Sequence, residues 1–471
     1  MAEEPDIIYS NTPVLLNLSF GKNIFSFYDQ NTTGLKCGIQ IWDRTLTTKY
    51  GTFEAYPNTS GYYHFDLQNL LKNFTTPNYN PFGTLFSTSD NESFEFKVKY
   101  GYVNAAGSFT EQGTYPSATE DENCVVLGGR KRYDDLNWNN RDNYVSAVLG
   151  FGGCPGTTRF SQALTDWNEP TPLSKLKGTI PDYVSDNFTE VYEIPTRLDD
   201  KNTISFYNFF DENPTFPLPT GCKNIKAVRF DFYGSNGNLI NTLFKSNVTG
   251  SGGGPGSSIA LDYDLVYPYN AISVNLSRQY FSTEYNSEPK YVYVSCYTYK
   301  GDGGCIATQT SYSNNPVSKV YRFNFEEDKC NDYPPVQVSW LNSFGFRDYF
   351  FFSKRTDETI NIKRNTYEQV EGNWNGVTFD VNSYDRGEKV YSQDLTIEKT
   401  INTRYLSDYE ARVLKNLYIS PDVMVRYDGE TEWIPIVITD SSWTEKTRRK
   451  DRLYQNTLTY REAHKINSQR G

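Results

Sequence analysis

Short segments of apolar or alternating apolar and polar residues recur along the chain, and each is bounded by Asn, Gly, Thr or Pro. Examples in the first part of the chain are residues 14–18, 37–42 and 94–100. Period-two alternation and short apolar runs between turn residues are typical of β-strands. The pattern therefore predicts a mainly β protein, with several β-sandwich or barrel domains in series.

Changes in this pattern divide the chain into four predicted regions. The second region has weaker periodicity and frequent glycine and proline, which is typical of a connection that contacts partners. The regions are an N-terminal β-sandwich domain at 1–117, an irregular connecting region at 118–200, a second β-sandwich domain at 201–329 and a C-terminal β domain at 330–471.

The C-terminal region carries the clearest local signals. Ser407 and Glu410 have the spacing of a capping box, and apolar residues follow at helical intervals. This predicts a single capped helix over 408–419. Asp428-Gly429 lies between two apolar segments, residues 423–427 and 433–438, and predicts a β-hairpin.

Composition narrows the class of protein. Tyr (38) and Phe (30) are abundant, while Met (2) and His (2) are scarce. The 46 basic and 57 acidic residues give a net charge of −11, which argues against phosphate binding along a nucleic acid. Neither a signal peptide nor a transmembrane segment is recognised, so we expect synthesis in a cytoplasm and no membrane partner.

The seven cysteines contain no CxxC pair, and the count is odd. Without a signal peptide, this favours free and mostly buried thiols over a disulfide scaffold. They are Cys37, Cys124, Cys154, Cys222, Cys296, Cys305 and Cys330.

Candidate chemistry is sparse, and the sequence predicts a protein that is not an enzyme. His64 lies in a predicted strand and His464 in a polar tail. The glycine-rich segment 250–256 lacks the Lys-Ser/Thr ending of a phosphate-binding loop. The acidic segments 90–92 and 262–264 lack the spacing of an EF-hand. We therefore assign no catalytic residue, no cofactor and no metal ligand.

One segment of the C-terminal region resembles a known motif. Residues 334–350 contain Trp340, Asn342, Gly345 and Asp348 in the pattern W-x-N-x-x-G-x-x-D-Y-F. This resembles a segment in virion proteins of phages that infect Bacteroidetes. The capped helix and the ending around 434–460 are similar as well. The closest group is the tail and neck structural proteins of crAss-like tailed bacteriophages, among them their ring proteins.

The resemblance covers residues 330–471 and implies a structural role in the virion tail. It implies a subunit of a homo-oligomeric ring, of about twelve copies, in the tail or neck below the portal. Head-to-tail contacts that close by rotation produce such rings. The implied partners are other copies of the chain and the neighbouring tail ring, portal or tail hub proteins, with no sequence-specific nucleic acid binding.

Two other functions compete with the ring subunit. A tail adhesin or receptor-binding protein would use aromatic and Asn-rich loops to recognise surface glycans. A glycan-degrading enzyme would need a pair of carboxylates in a cleft, and with 57 acidic residues any pairing in sequence is unspecific.

Candidate interface residues follow from the ring interpretation. They are Trp443, the run Phe350, Phe351 and Phe352, and the connection 118–200. For the aromatic residues, a place in the buried core is the alternative. The basic cluster 446–452 fits a charged hairpin tip or an electrostatic contact with an acidic neighbouring subunit.

Overall fold

The computed structural model describes most of the chain, which divides into two units. The described residues are 5–11, 16–20, 23–31, 33, 35–75, 84–87, 93–104, 106–116, 124–128, 163–208, 225–249, 263–264, 271–297, 316–326, 333–440 and 455–464. Unit 1 contains Met1–Glu327 and Leu341–Asp348, and unit 2 contains Asp328–Trp340 and Tyr349–Gly471. The chain therefore leaves unit 1 after Glu327 and returns to it for one short segment.

The first part of unit 1 is built from short strands. They are β1 (Ile7–Asn11), β2 (Leu16–Leu18), β3 (Ile24–Asp29), β4 (Lys36–Asp43), β5 (Lys49–Ala55), β6 (Tyr62–Asp66), helix α1 (Gln68–Leu71), β7 (Phe86–Ser87), β8 (Ser93–Val103), β9 (Phe109–Tyr115) and β10 (Cys124–Leu127). One sheet has the order β1-β3-β6 and a second the order β2-β10-β8-β4-β5, with β9 paired to β8.

These two sheets bury a shared core. Phe25 and Phe27 of β3 and Ile39 of β4 are almost fully buried, and they belong to one cluster with Phe96 and Val98 of β8. The side chains that β3 and β4 contribute to this cluster recur at intervals of two, as expected for strands that present one face to a core. Burying apolar surface at about 25 cal/mol per Å² stabilises this sandwich.

The second part of unit 1 continues the β pattern. Its elements are β11 (Pro170–Pro172), a 3₁₀ helix (Leu173–Lys175), α2 (Asp182–Asn187), β12 (Glu190–Thr196), β13 (Thr203–Tyr207), β14 (Ala227–Tyr233), β15 (Leu239–Ser246), β16 (Val248–Thr249), β17 (Tyr263–Asp264), β18 (Ala271–Asn275), a 3₁₀ helix (Arg278–Tyr280), α3 (Ser282–Tyr285), β19 (Tyr291–Tyr297) and β20 (Tyr321–Phe325). The sheet orders are β11-β12-β20-β19-β14-β15, β13-β18-β7 and β16-β17.

The region predicted as an irregular connection contributes to this sheet. Strand β12 pairs in parallel with β20 over residues 192–196, whereas β11 pairs with residues 190–192. Pro195 therefore lies where one edge of β12 has no described partner, a position at which a strand tolerates proline. The domain boundaries at 117, 200 and 329 stay a prediction.

Unit 2 is one mixed set of short and long strands with a single described α-helix. The elements are β21 (Val336–Leu341), β22 (Arg347–Phe352), β23 (Asp357–Glu368), β24 (Asn373–Trp374), β25 (Phe379–Asp380), β26 (Glu388–Asn402), α4 (Asp408–Ile419), β27 (Val423–Tyr427), β28 (Ile434–Ile438) and β29 (Thr457–Glu462). Leu341, the last residue of β21, and residues 347–348, the first two of β22, belong to unit 1. The main sheet has the order β22-β21-β27-β28-β29-β26-β23, and β24 pairs with β25.

The mainly β class, the capped helix and the C-terminal hairpin predicted from sequence are confirmed. The Ser407 side chain accepts a hydrogen bond from the Glu410 N–H, and Glu410 accepts one from the Ser407 N–H. Strands β27 and β28 pair antiparallel, and Gly429 between them has a φ of 80°. In the described part of the chain, no helix is both long and apolar enough to cross a membrane.

Replacing Ser407 by Ala tests the contribution of the capping box. The change removes a side-chain acceptor from the first turn of α4 and should cost about 1 kcal/mol, which speeds hydrogen exchange in α4 by roughly fivefold. Ser383→Ala, at an exposed position outside the helix, is the matched control. Equal exchange rates in the two variants would contradict the role of the cap.

Candidate interaction surface

The longest strands of unit 2 form a two-stranded ribbon, here called the arm (residues 357–402). β23 pairs antiparallel with β26 from Asp357 opposite Thr400 to Glu368 opposite Glu388. Strand β29 joins β26 only at residues 399–402. At about 3.3 Å per residue, the twelve residues of β23 span roughly 40 Å. Most of the arm is thus a ribbon without a third described strand.

The two faces of the arm differ in polarity. Residues that lie opposite each other in an antiparallel pair share a face. Ile360 opposes Ile397, and Ile362 opposes Leu395 on one face. Lys363 opposes Asp394 on the other. The arm is therefore amphipathic, although the side chains of Ile360 and Ile362 are 53% and 45% exposed.

Polar contacts keep the other face in register. The Asn365 side chain donates a hydrogen bond to Ser392 Oγ at 2.8 Å, and the Asn361 side chain donates one to Glu398 at 3.3 Å. A bulge follows Asn365, and the rings of Tyr367 and Tyr391 lie 6.2 Å apart beyond it. The ribbon is therefore held by paired side chains along its length.

The tip of the arm (residues 369–387) is an ordered turn. β24 and β25 pair within it, and the Asn375 side chain accepts hydrogen bonds from the N–H groups of Val377 and Thr378. Gly372 and Gly376 adopt φ values of 88° and 96°, which favour glycine. The tip thus has a defined shape rather than the features of a loose linker.

Exposed apolar side chains concentrate on the arm. Roughly half of the large hydrophobic side chains that are exposed in the described residues lie between 357 and 402: Ile360, Ile362, Tyr367, Val370, Trp374, Val377, Phe379, Val381, Tyr384, Val390 and Tyr391. An isolated two-stranded ribbon is marginally stable in water, and a concentration of exposed apolar side chains indicates an interaction site. The arm therefore has the properties of a surface that a partner covers.

A second feature lies in unit 1, at the segment Leu341–Asp348. The Asn342 side chain accepts hydrogen bonds from the N–H groups of Phe344 and Phe346, and it donates one to the Leu164 carbonyl at 2.8 Å. Gly345 has a φ of 87°, and a Cβ there would lie 2.1 Å from the carbonyl oxygen of Gly128. These contacts give a physical reason for the Asn and Gly of the sequence motif.

Two carboxylates meet beneath this segment. Asp348 accepts hydrogen bonds from the Thr165 hydroxyl at 2.5 Å and the Asp166 N–H at 2.8 Å. Ser343 donates to Asp166 through its hydroxyl and its N–H. Burial and the neighbouring Asp166 carboxylate raise the pKa of Asp348 to about 8. Burial beside Asp166 therefore favours the protonated form of Asp348 near neutral pH.

The structure assigns the predicted candidates to different environments. Phe350, Phe351 and Phe352 are each 1% exposed, so within this chain they are core residues. We therefore place these three residues in the buried core, which was the alternative to an interface. Several candidates lie outside the described residues: Trp443, the cluster 446–452, the segments 250–256 and 90–92, residue 262 of the segment 262–264, and residues 118–123 and 129–162 of the connection.

The other candidates also have defined places. His64 lies in β6, where its Nδ1 is 2.8 Å from the Ser26 hydroxyl and its Nε2 is 3.4 Å from the Asn58 amide. His464 is exposed. Cys37, Cys124 and Cys296 are buried free thiols, as predicted. The other four cysteines lie outside the described residues.

The arm is not among the interaction sites predicted from the sequence. The pattern Thr359-Ile360-Asn361-Ile362 alternates as a half-buried strand does, and Asn373 to Gly376 contains the residues of a tight turn. These signals indicate a hairpin over 357–402. They give no sign that the apolar positions stay exposed, because an apolar residue in a strand ordinarily faces a core.

Comparison with known proteins gives no family for this chain. Neither a known protein family nor a curated protein matches it. Solved structures similar to it include one from a study of host cell surface retention of a 1.5-MDa bacterial ice-binding adhesin. That match has 10% sequence identity and a TM-score of 0.15, over 86% of this chain and 94% of the other. A likeness this low carries no argument about function.

The carboxylate pair predicts how stability depends on pH. The pKa of Asp348 rises from 3.8 to about 8 on folding. The contribution of Asp348 to the free energy of unfolding is therefore full below about pH 4, declines as pH rises, and is lost above about pH 8. Asp348→Asn mimics the protonated side chain and should flatten this decline. To test this, the denaturant concentration at which unit 1 is half unfolded is measured for both proteins at pH values between 5 and 9.

The exposed Asp186 provides the control for this experiment. Asp186→Asn should leave the pH profile of the wild-type protein unchanged. A profile for Asp348→Asn that also matches the wild type would contradict the assignment of a protonated carboxyl at residue 348.

Proposed function

We propose that this protein is a structural, non-enzymatic subunit of a tailed-phage virion. In this proposal it assembles with other copies into a closed homo-oligomeric ring in the tail or neck, below the portal. The chain is made in the host cytoplasm and becomes part of the virion tail. The neighbouring tail ring, portal or tail hub proteins are its further partners.

One observation carries the proposal, the exposed amphipathic arm. A ribbon with open edges and an apolar face is a liability for a protein that stays monomeric, because it offers a template for pairing with other chains. Assembly removes that liability by covering the same surface in every copy. The mainly β fold and the resemblance of residues 330–471 to virion ring proteins give the proposal its context.

The acidic charge of the chain is compatible with this function. A net charge of −11 keeps copies apart in solution unless specific contacts outweigh the repulsion. The arm supplies such contacts through apolar side chains and paired charges, and the exposed tip extends it toward a neighbouring protein. In this proposal, the negative charge keeps copies apart except where their arms make contact.

A tail adhesin is the second candidate, favoured by the aromatic tip of the arm. Trp374 is 62% exposed and Tyr384 is 76% exposed, and aromatic rings of this kind stack on sugars. A glycan-binding screen of the wild-type protein and of Trp374→Ala tests this function. Specific glycan binding that Trp374→Ala abolishes would favour the adhesin over the ring.

Deleting the arm is expected to prevent ring assembly. Ile360 and Ile397 are direct partners, so an Asn-Gly turn between them can replace residues 361–396 and leave the rest of the sheet intact. Native mass spectrometry and negative-stain microscopy should show a closed ring of about twelve copies for the wild type. The deletion variant should remain a folded monomer.

A shorter deletion is the control. Replacing the tip, residues 369–387, by Asn-Gly keeps the ribbon and should keep the ring. A wild-type protein that stays monomeric at high concentration, or that forms a trimer, would contradict the proposed function.

A further inference from the structure

The edges of the arm suggest how copies contact each other, an inference that rests on the proposed ring. Strand β23 is the last strand of its sheet, so among the described residues one of its edges is open along its whole length. Strand β26 is paired with β29 only at 399–402, which leaves its outer edge open over 388–398 among the described residues. Both edges of one ribbon are therefore available over the same stretch.

Contacts between identical ribbons can use these edges in two ways. If β23 pairs with β23 of a second copy, the edge of β26 stays open in both copies. If β23 pairs with β26 of the next copy, one type of contact uses both edges of every ribbon. Heterologous contacts of this second type close into a ring by rotation, and ribbons that point the same way then pair antiparallel.

The charges and apolar residues of the two edges are complementary in this second arrangement. In the register that the ribbon itself uses, Lys363 would face Asp394 of the next copy, and Asn365 would face its Ser392. On the opposite face, Ile362 would face Leu395. The contacts that hold the ribbon together thus repeat across the junction, and Lys363 lies between two carboxylates.

We propose that the arms of successive copies pair edge to edge, β23 of one with β26 of the next, to form a continuous β-ring. The partner of the arm is therefore a second copy of this chain. Main-chain hydrogen bonds supply affinity, as in other cases of strand addition. The paired charges and the two faces fix the register, since a shift by one residue would exchange the faces.

Cross-linking between two variants that each add one cysteine to the chain tests this pairing. Lys363→Cys, made with heavy isotopes, is mixed with unlabelled Asp394→Cys, and a short bismaleimide is added after assembly. Both positions are exposed in the isolated chain. Mass spectrometry should find links between residue 363 of heavy chains and residue 394 of light chains. Each variant alone should show a large loss of these links.

Two controls define the background. Wild-type protein reports links through the native cysteines, and Glu430→Cys places a thiol at an exposed turn of unit 2 outside the arm. Neither should yield links between copies. The size of the assembly is measured in the same samples by native mass spectrometry.

The results distinguish the edge pairing of the arms from the assembly of a ring. Rings with abundant 363–394 links support both. Rings in which 363–363 links dominate, or in which links between arms are absent, overturn the edge pairing and leave the ring function standing. A mixture that stays monomeric and gives no links overturns both.

Discussion

The arm is governed by one physical constraint: a β-strand edge must be paired, covered or protected. Strand β23 carries an open edge over Asp357–Glu368, and β26 carries one over 388–398 among the described residues. The ribbon also exposes Ile360 and Ile362 to water. Unpaired backbone groups and exposed apolar surface favour association. The proposed assembly follows from this constraint, because it pairs the edges that one chain leaves open.

The motif segment in unit 1 has a different role from the arm. Asn342, Gly345 and Asp348 are each explained by contacts within unit 1, through a closed turn, a close backbone approach and a buried carboxyl. Polar groups in a buried site are costly unless they are satisfied, and a satisfied network fixes one arrangement. The motif therefore accounts for a local geometry of the chain, and the arm accounts for its proposed association.

Local structure was predictable because local rules determine it. The capping box at Ser407 and Glu410 fixed the start of α4, and Asp428-Gly429 identified a hairpin. Exposure was harder to predict. Phe350 to Phe352 were interface candidates and are buried, whereas Ile360 and Ile362 of β23 alternate with polar residues as core-facing residues do and are exposed. Burial depends on which strands become neighbours, and those pairings connect residues far apart in sequence, such as β12 with β20.

Hydrogen exchange in the arm shows whether assembly pairs the open edges of its strands. Backbone amides of residues 361–368 and 388–398 are compared in the assembled protein and in the dilute monomer. Edge pairing predicts that the amides that point out of the ribbon gain strong protection only in the assembled protein, because a neighbouring strand then accepts their hydrogen bonds. The amides that already pair between β23 and β26 should change little. The sandwich strands of unit 1 should exchange alike in both states. Equal exchange of the arm in the two states would contradict the claim that assembly pairs its edges.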